Sequence, residues 1–80
     1  MYTVLLTDDE KSVTESLKND IPWANLGVES ILTACDGMQA LEIIASFHVD
    51  LLITDIRMPR MDGLELLARV RSVHPEIHCI

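Results

Sequence analysis

Short continuous apolar runs alternate along the chain with longer segments in which apolar residues recur every three or four positions. The runs TVLL at Thr3–Leu6 and DLLIT at Asp50–Thr54 are continuous, as expected for strands that helices cover on both faces. VESILTAC at Val28–Cys35 is a third strand of more mixed character, and EIHCI at Glu76–Ile80 opens a fourth. This alternation predicts an α/β fold with a doubly wound parallel sheet.

The segment that begins at about Glu10 predicts the first helix. Its apolar positions recur at four-residue spacing: Val13, Leu17 and Ile21. The stretch IPWANLGV then leads to the second strand. We expect Trp23 and Leu26 from this stretch to form a hydrophobic plug over the end of the sheet.

Two further helices are indicated by the residues at their starts. Asp36 is followed three residues later by Gln39, and Asp62 is followed at the same spacing by Glu65. An acidic N-cap paired with Gln or Glu three residues on is typical of a helix start, so we interpret both aspartates as caps. The apolar positions that follow Asp36 are Ala40, Leu41, Ile44 and Phe47, and those that follow Asp62 are Leu67 and Val70.

Composition describes one small domain. The 80 residues are 49% apolar and carry 13 Asp and Glu against 6 Lys and Arg, a net charge of −7. This acidic balance argues against contact of the segment with nucleic acid or an anionic membrane. No basic leader precedes an apolar run and no run reaches bilayer length, so we expect a cytoplasmic location. Cys35 and Cys79 lack CxxC spacing, and we expect both to be reduced core thiols.

Asp55 is the acid that helix capping does not explain. It follows the apolar strand directly, but Pro59 disfavours helix at Met58, and the next helix begins only near Gly63. Asp55 therefore lies on a loop at the carboxyl end of a strand. Ligands of doubly wound sheets bind at such ends.

Two more acids, Asp8 and Asp9, close the first strand. If the first and third strands are neighbours, these carboxylates converge with that of Asp55. Like charges so close require a proton or a cation, and Mg²⁺ is the natural choice because it needs few protein carboxylates. The third acid could then be a nucleophile that forms an acyl phosphate. The alternative is that Asp9 caps the first helix and Asp8 is solvated.

These residues resemble the receiver domain of two-component response regulators. The resemblance rests on LLTDDE, DGMQALEII and DLLITDIRMPRMDGLELL and on the lengths between them, and it spans essentially the whole chain. Its spacing is specific: an acid pair on strand one, Asp on strand three, Pro four residues later and Gly eight residues later. The IPWANLGV insertion further resembles receivers that are attached to AraC-type DNA-binding output domains.

The resemblance implies a flavodoxin-like fold, with strand order 2-1-3-4-5 in the complete domain. Residues 1–80 would form the N-terminal part of a receiver and end within strand four. The rest of the receiver and the output domain would lie outside this chain. The Ser or Thr that ends strand four and the Lys that ends strand five in this family therefore have no counterpart to assign here.

The resemblance also implies roles for individual residues. Asp55 would accept a phosphoryl group from the phosphohistidine of a sensor histidine kinase, or from a small donor such as acetyl phosphate. Asp55 and Asp9 would hold Mg²⁺ directly, Asp8 would hold it chiefly through water, and the backbone carbonyl of Arg57 would complete the protein ligands. The Arg57 side chain would stay free.

Pro59 and Gly63 would shape the site loop, with Gly63 allowing close packing at the helix start. Phosphorylation of Asp55 would shift the population of two conformations, and the output domain, a transcriptional regulator by this resemblance, would respond. Such a receiver catalyses only its own phosphorylation and dephosphorylation, and the resemblance leaves room for a homodimer.

Two other classes of protein stay open. A phosphatase of the haloacid-dehalogenase type also uses Mg²⁺ and a strand-end aspartate, but it has D-x-D, and the second position after Asp55 is Arg57. A pseudo-receiver that serves only as an interaction module would be expected to lose part of the acid set. Asp8, Asp9 and Asp55 are all present.

Overall fold

A four-stranded parallel sheet with helices on both faces forms the body of the computed structural model, which describes all 80 residues. In chain order the elements are β1 (Tyr2–Thr7), α1 (Lys11–Asp20), a 3₁₀ helix (Trp23–Leu26), β2 (Val28–Ala34), α2 (Gly37–Ser46), β3 (Leu51–Thr54), α3 (Gly63–Val73) and β4 (His78–Cys79). The strand order is β2-β1-β3-β4, and every pair is parallel. The predicted α/β class and the 2-1-3-4 order are therefore confirmed.

The two faces of the sheet bury separate clusters because side chains alternate along each strand. Val4 and Leu6 of β1 pack with Trp23 on the face that α1 covers. Leu5 lies on the opposite face, in a larger cluster with residues of α2, α3 and β3. Fully buried Leu52 and Leu66 belong to this larger cluster, which lies directly beneath the loop that carries Asp55.

Both predicted aspartate caps are confirmed. The backbone N–H of Gln39 donates to Oδ1 of Asp36 at 2.7 Å, and that of Glu65 donates to Oδ1 of Asp62 at 2.8 Å. Each such cap stabilises a helix by about 1 kcal/mol. The caps fix where α2 and α3 begin, and the start of α3 in turn ends the loop after Asp55. None of the helices has the length and hydrophobicity needed to cross a bilayer.

Two expectations about burial are wrong, that for Leu26 and that for Cys35. Trp23 is buried and its Nε1 donates to the carbonyl of Leu17 at 3.0 Å, but Leu26 is 60% exposed because it ends the short 3₁₀ helix beside the cluster. Phe47 is 58% exposed because it follows the last turn of α2. Cys35 is exposed because it lies one residue beyond β2, and only Cys79 is partly buried; neither forms a disulfide.

Candidate functional site

The candidate site lies at the carboxyl edge of the sheet, where β1 and β3 end side by side. Thr7 and Thr54 are register partners, so the next residues, Asp8 and Asp55, leave the sheet at the same level. The backbone ladder continues one step further, because the N–H of Asp55 donates to the carbonyl of Thr7 at 3.0 Å. This parallel register is what brings acids 47 positions apart in the chain to one edge.

The three acids meet at this edge. One carboxylate oxygen from each of Asp8, Asp9 and Asp55 lies within 4.8 Å of the others. Asp9 and Asp55 are exposed, and neither carboxylate accepts a hydrogen bond from a protein group. Asp8 is half-buried, and its Oδ1 accepts a hydrogen bond from the N–H of Glu10 at 2.9 Å. Helix α1 has Glu10 at its N-cap without a side-chain cap, so the alternative that Asp9 caps this helix is wrong.

The chemistry of this donor set fits a hard divalent cation. Three carboxylates in such proximity repel one another strongly unless positive charge is placed between them. No Lys or Arg side chain forms an ion pair with any of the three. Exposed oxygen ligands in small number suit Mg²⁺, which keeps several waters when it binds.

The loop from Ile56 to Asp62 is held against the rest of the fold at both ends. The N–H of Gly63 donates to the carbonyl of Ile56 at 2.8 Å. A Cβ on Gly63 would lie 2.9 Å from the Cα of Ile56 and would overlap the carbonyl oxygen of Asp55. The start of α3 is therefore packed directly on the backbone that carries Asp55. Between these ends, Met58 and Met61 are buried in the larger cluster.

A hollow of about 600 Å³ opens beside Asp9. It is lined by Asp9, Ile56, Arg57, Met58, Pro59 and Asp62. Thus Arg57 and Pro59, both singled out from the sequence, lie next to Asp9, while Gly63 packs behind the loop.

Two residues near the site were missed from the sequence. Arg60 has a φ of 69°, and no other residue besides glycine has a positive φ. Its only signal in the sequence is its position in a tight loop between Pro59 and the cap Asp62. Thr7 is 2% exposed, and its Oγ1 is buried without a hydrogen-bond partner. Its only signal is that it is polar at the end of an apolar strand.

At the opposite edge of the sheet, a carboxylate has a structural role. Asp50 accepts hydrogen bonds from the N–H of Thr3 at 2.8 Å and from Nε2 of His48 at 2.9 Å. The backbone donor on Thr3 is the main reason that the pKa of Asp50 is lowered, with His48 adding to it against the opposing effect of burial. Partial burial raises the pKa of the Cys79 thiol. Asp50 therefore joins the starts of β1 and β3 and takes no part in the acidic site.

The fold agrees with comparison to known proteins. A sequence profile of the response regulator receiver domain matches residues 4–80, and the chain belongs to this family. Transcriptional regulatory protein HptR of Staphylococcus aureus is 46% identical over 67 residues, which cover 84% of this chain and 27% of HptR. The curated relatives that the chain matches are about three times as long as it is.

Solved structures give the same family. A two component transcriptional regulator AraC from Clostridium phytofermentans has a TM-score of 0.94 at 35% identity, with 99% of this chain and 61% of that chain covered. The response regulator TrrA from Thermotoga maritima, solved in complex with Mg²⁺-BeF, has a TM-score of 0.86 at 35% identity, with coverage of 99% and 66%. The AraC neighbour agrees with the subgroup that the IPWANLGV insertion indicates.

Proposed function

We propose that this chain is the phosphoryl-accepting part of a two-component response regulator and that Asp55 is the phosphoacceptor. The observation that carries the proposal is the convergence of the Asp8, Asp9 and Asp55 carboxylates within 4.8 Å at one sheet edge. Residues 1–80 would be the N-terminal part of a longer receiver, from its first strand to the start of its fourth.

The reaction follows from the state of Asp55. Its carboxylate is exposed and free of hydrogen bonds from the protein, so an oxygen lone pair is available to attack phosphorus. When the donor is the phosphohistidine of a sensor kinase, a P–O bond forms as the P–N bond breaks, and the imidazole leaves with the bonding electrons. The hydrogen bond from the Asp55 N–H to Thr7 fixes the backbone from which the nucleophile reaches outward.

The remaining acids are suited to hold Mg²⁺, which when bound would neutralise charge on the transferring group. Asp9 and Asp55 would be direct ligands, together with the backbone carbonyl of Arg57. Asp8 would act chiefly through water, and this is supported by the bond that already engages its Oδ1 with Glu10. The complex of TrrA with Mg²⁺-BeF, at 35% identity, supports this cofactor.

The consequence of phosphorylation would be a shift between two conformations of the full-length protein. The protein would be cytoplasmic, and its partners would be a sensor histidine kinase, an AraC-type DNA-binding output domain in the full-length protein and, in a homodimer, a second copy. The AraC neighbour and HptR, a transcriptional regulatory protein, support this output.

The experiment is intact-mass spectrometry of the full-length protein after treatment with acetyl phosphate, with and without Mg²⁺. We expect one added phosphoryl group that requires Mg²⁺ and that is absent from an Asp55→Asn variant. A folded wild-type protein that gains no phosphate would instead identify an interaction module. Steady release of phosphate from an added ester would identify a phosphatase.

A further inference from the structure

Any phosphoryl donor that reaches Asp55 is itself an anion, and the chain is poorly suited to attract one. Its net charge is −7, and three carboxylates lie within 4.8 Å at the proposed reaction site. One divalent cation offsets only two of these three charges. Without further positive charge, the field around the site would lower the local concentration of anionic donors.

Two arginines stand on the loop that follows Asp55. Arg57 and Arg60 are both exposed, and neither forms an ion pair within the protein. Arg57 lines the hollow of about 600 Å³ together with Asp9. The other acid of this hollow, Asp62, already accepts the hydrogen bond that caps α3. Arg57 is therefore a cation without a partner in the fold beside the hollow that Asp9 lines, and Arg60 is a second unpaired cation three residues further along the same loop.

The backbone of Arg60 adds a second, independent observation. Its φ of 69° lies in the left-handed region, where a residue with a Cβ is strained and where glycine or asparagine would be accommodated at lower cost. Strain of this kind persists beside reactive groups when the residue has a function there. An exposed arginine in this conformation gains no contact inside the protein that would explain it.

We propose that Arg57 and Arg60 form a cationic rim that attracts doubly charged phosphoryl donors to Asp55 and favours them over singly charged donors. The inference rests on the proposed function and adds the charge of the preferred donor. With acetyl phosphate, an Asp55 oxygen bonds to phosphorus, the P–O bond to the acetyl group breaks, and acetate leaves with the electron pair. The rim acts on the approach of the donor and not on this exchange.

The test compares rates of phosphorylation of full-length protein by acetyl phosphate, which carries two negative charges at neutral pH, and by phosphoramidate, which carries one net negative charge. For charges about 10 Å apart in water at low salt, we expect Arg60→Gln to lower the rate of phosphorylation by acetyl phosphate about threefold. The rate with phosphoramidate should fall less than about twofold. Arg57→Gln should act in the same direction, and the double variant should be slower than either. Raising the salt from about 0.01 M to about 1 M shortens the Debye length from about 30 Å to about 3 Å and should abolish these differences.

Two further variants separate charge from structure. Arg60→Lys keeps the charge and should react like the wild type. Arg71→Gln removes the same charge from an exposed, unpaired arginine near the far end of α3 and should leave both rates unchanged. Equal rates of phosphorylation by acetyl phosphate for Arg60→Gln and Arg71→Gln at low salt would overturn the proposal of a cationic rim. Failure of the wild type to take phosphate from either donor would instead overturn the proposed function itself. Asp55→Asn is treated in parallel to show that any phosphate gained requires Asp55.

Discussion

Thr7 is a buried polar residue whose hydroxyl is unsatisfied. The residue is 2% exposed, and its Oγ1 has no hydrogen-bond partner. A valine of similar shape would remove the cost of burying that hydroxyl, so Thr7→Val should raise the free energy of unfolding by about 1 kcal/mol. Urea denaturation measures this change.

Thr14 supplies the matched control for this prediction. It is buried to a similar extent, but its Oγ1 donates to the carbonyl of Lys11 at 3.0 Å. Thr14→Val should therefore lower the free energy of unfolding, by about 1 kcal/mol. If Thr7→Val destabilised the protein as much as Thr14→Val, the hydroxyl of Thr7 would have to be satisfied in solution.

Gly63 lies at the one position where an added methyl group would strike the backbone of the site. A Cβ there would overlap the carbonyl oxygen of Asp55 and approach the Cα of Ile56 to 2.9 Å. Gly63→Ala should cost about 1–3 kcal/mol of stability, as overpacking does, and should also slow phosphorylation because Asp55 must shift. Urea denaturation and the rate with acetyl phosphate measure the two effects.

Gly37 provides the comparison. A Cβ there would meet the side chain of Met61, with its Sδ at 2.8 Å, rather than backbone. Because a methionine side chain adapts more easily than a backbone carbonyl, Gly37→Ala should cost less stability and leave the phosphorylation rate unchanged. Equal losses of rate in the two variants would contradict the specific packing of Gly63 on Asp55.

Helices and strands were largely predictable because their signals are local. Continuous apolar runs predicted β1 and β3, and the acidic caps predicted the starts of α2 and α3 to the residue. The inner face of α1 was less predictable. Leu17 and Val13 are only half-buried, whereas Thr14 is buried, because the cluster on this face is small and holds only Val4, Leu6 and Trp23 as buried members. Periodicity finds a helix, but how deeply each position is buried depends on what covers it.

Asp50 joins the amino ends of β1 and β3, and its effect should depend on pH. The pKa of Asp50 is lowered by the hydrogen bond from the Thr3 N–H. A lowered pKa in the folded state means that the stabilisation is present above the unfolded value of about 3.8 and is lost as the pH falls through the folded pKa. Asp50→Ala should therefore lower the melting temperature at neutral pH, and the difference from wild type should shrink below about pH 3.8.

Melting curves across this pH range test the role of Asp50. Glu42→Ala is the matched control, since Glu42 is exposed on α2 without an ion pair and its removal changes the net charge equally. A constant difference between Asp50→Ala and wild type at all pH values would show that packing, rather than the ionised carboxylate, holds the strands together.

In the molecule as a whole, some features of the candidate site could be predicted from the sequence, and others depend on tertiary contacts. The acids could be found from the sequence because each follows an apolar strand, and Asp55 has no helix to cap. Their meeting depends on β1 lying next to β3 and on Thr7 pairing with Thr54, which a single sequence does not specify. The positive φ of Arg60 is likewise seen only in the folded loop. Such features depend on tertiary contacts and have no local signal.

The charge of the whole molecule sets the conditions for its proposed reaction. A domain of net charge −7 has to gather a metal cation and an anionic donor at the same edge of its sheet. The carboxylates would bind the metal cation, and the arginines of the following loop would attract the anionic donor. This division predicts that removal of either arginine slows reaction with an anionic donor at low salt and that high salt abolishes the difference.

The proposed function depends on Asp55 being the phosphoacceptor, and the location of the phosphoryl group decides this. Full-length protein is treated with acetyl phosphate and Mg²⁺, the acyl phosphate is reduced with borohydride to homoserine, and tandem mass spectrometry of the peptides identifies the altered aspartate. We predict homoserine at position 55, with Asp8 and Asp9 unchanged. Reduction at Asp8 or Asp9 while Asp55 stays intact would contradict the assignment of Asp55 as the phosphoacceptor.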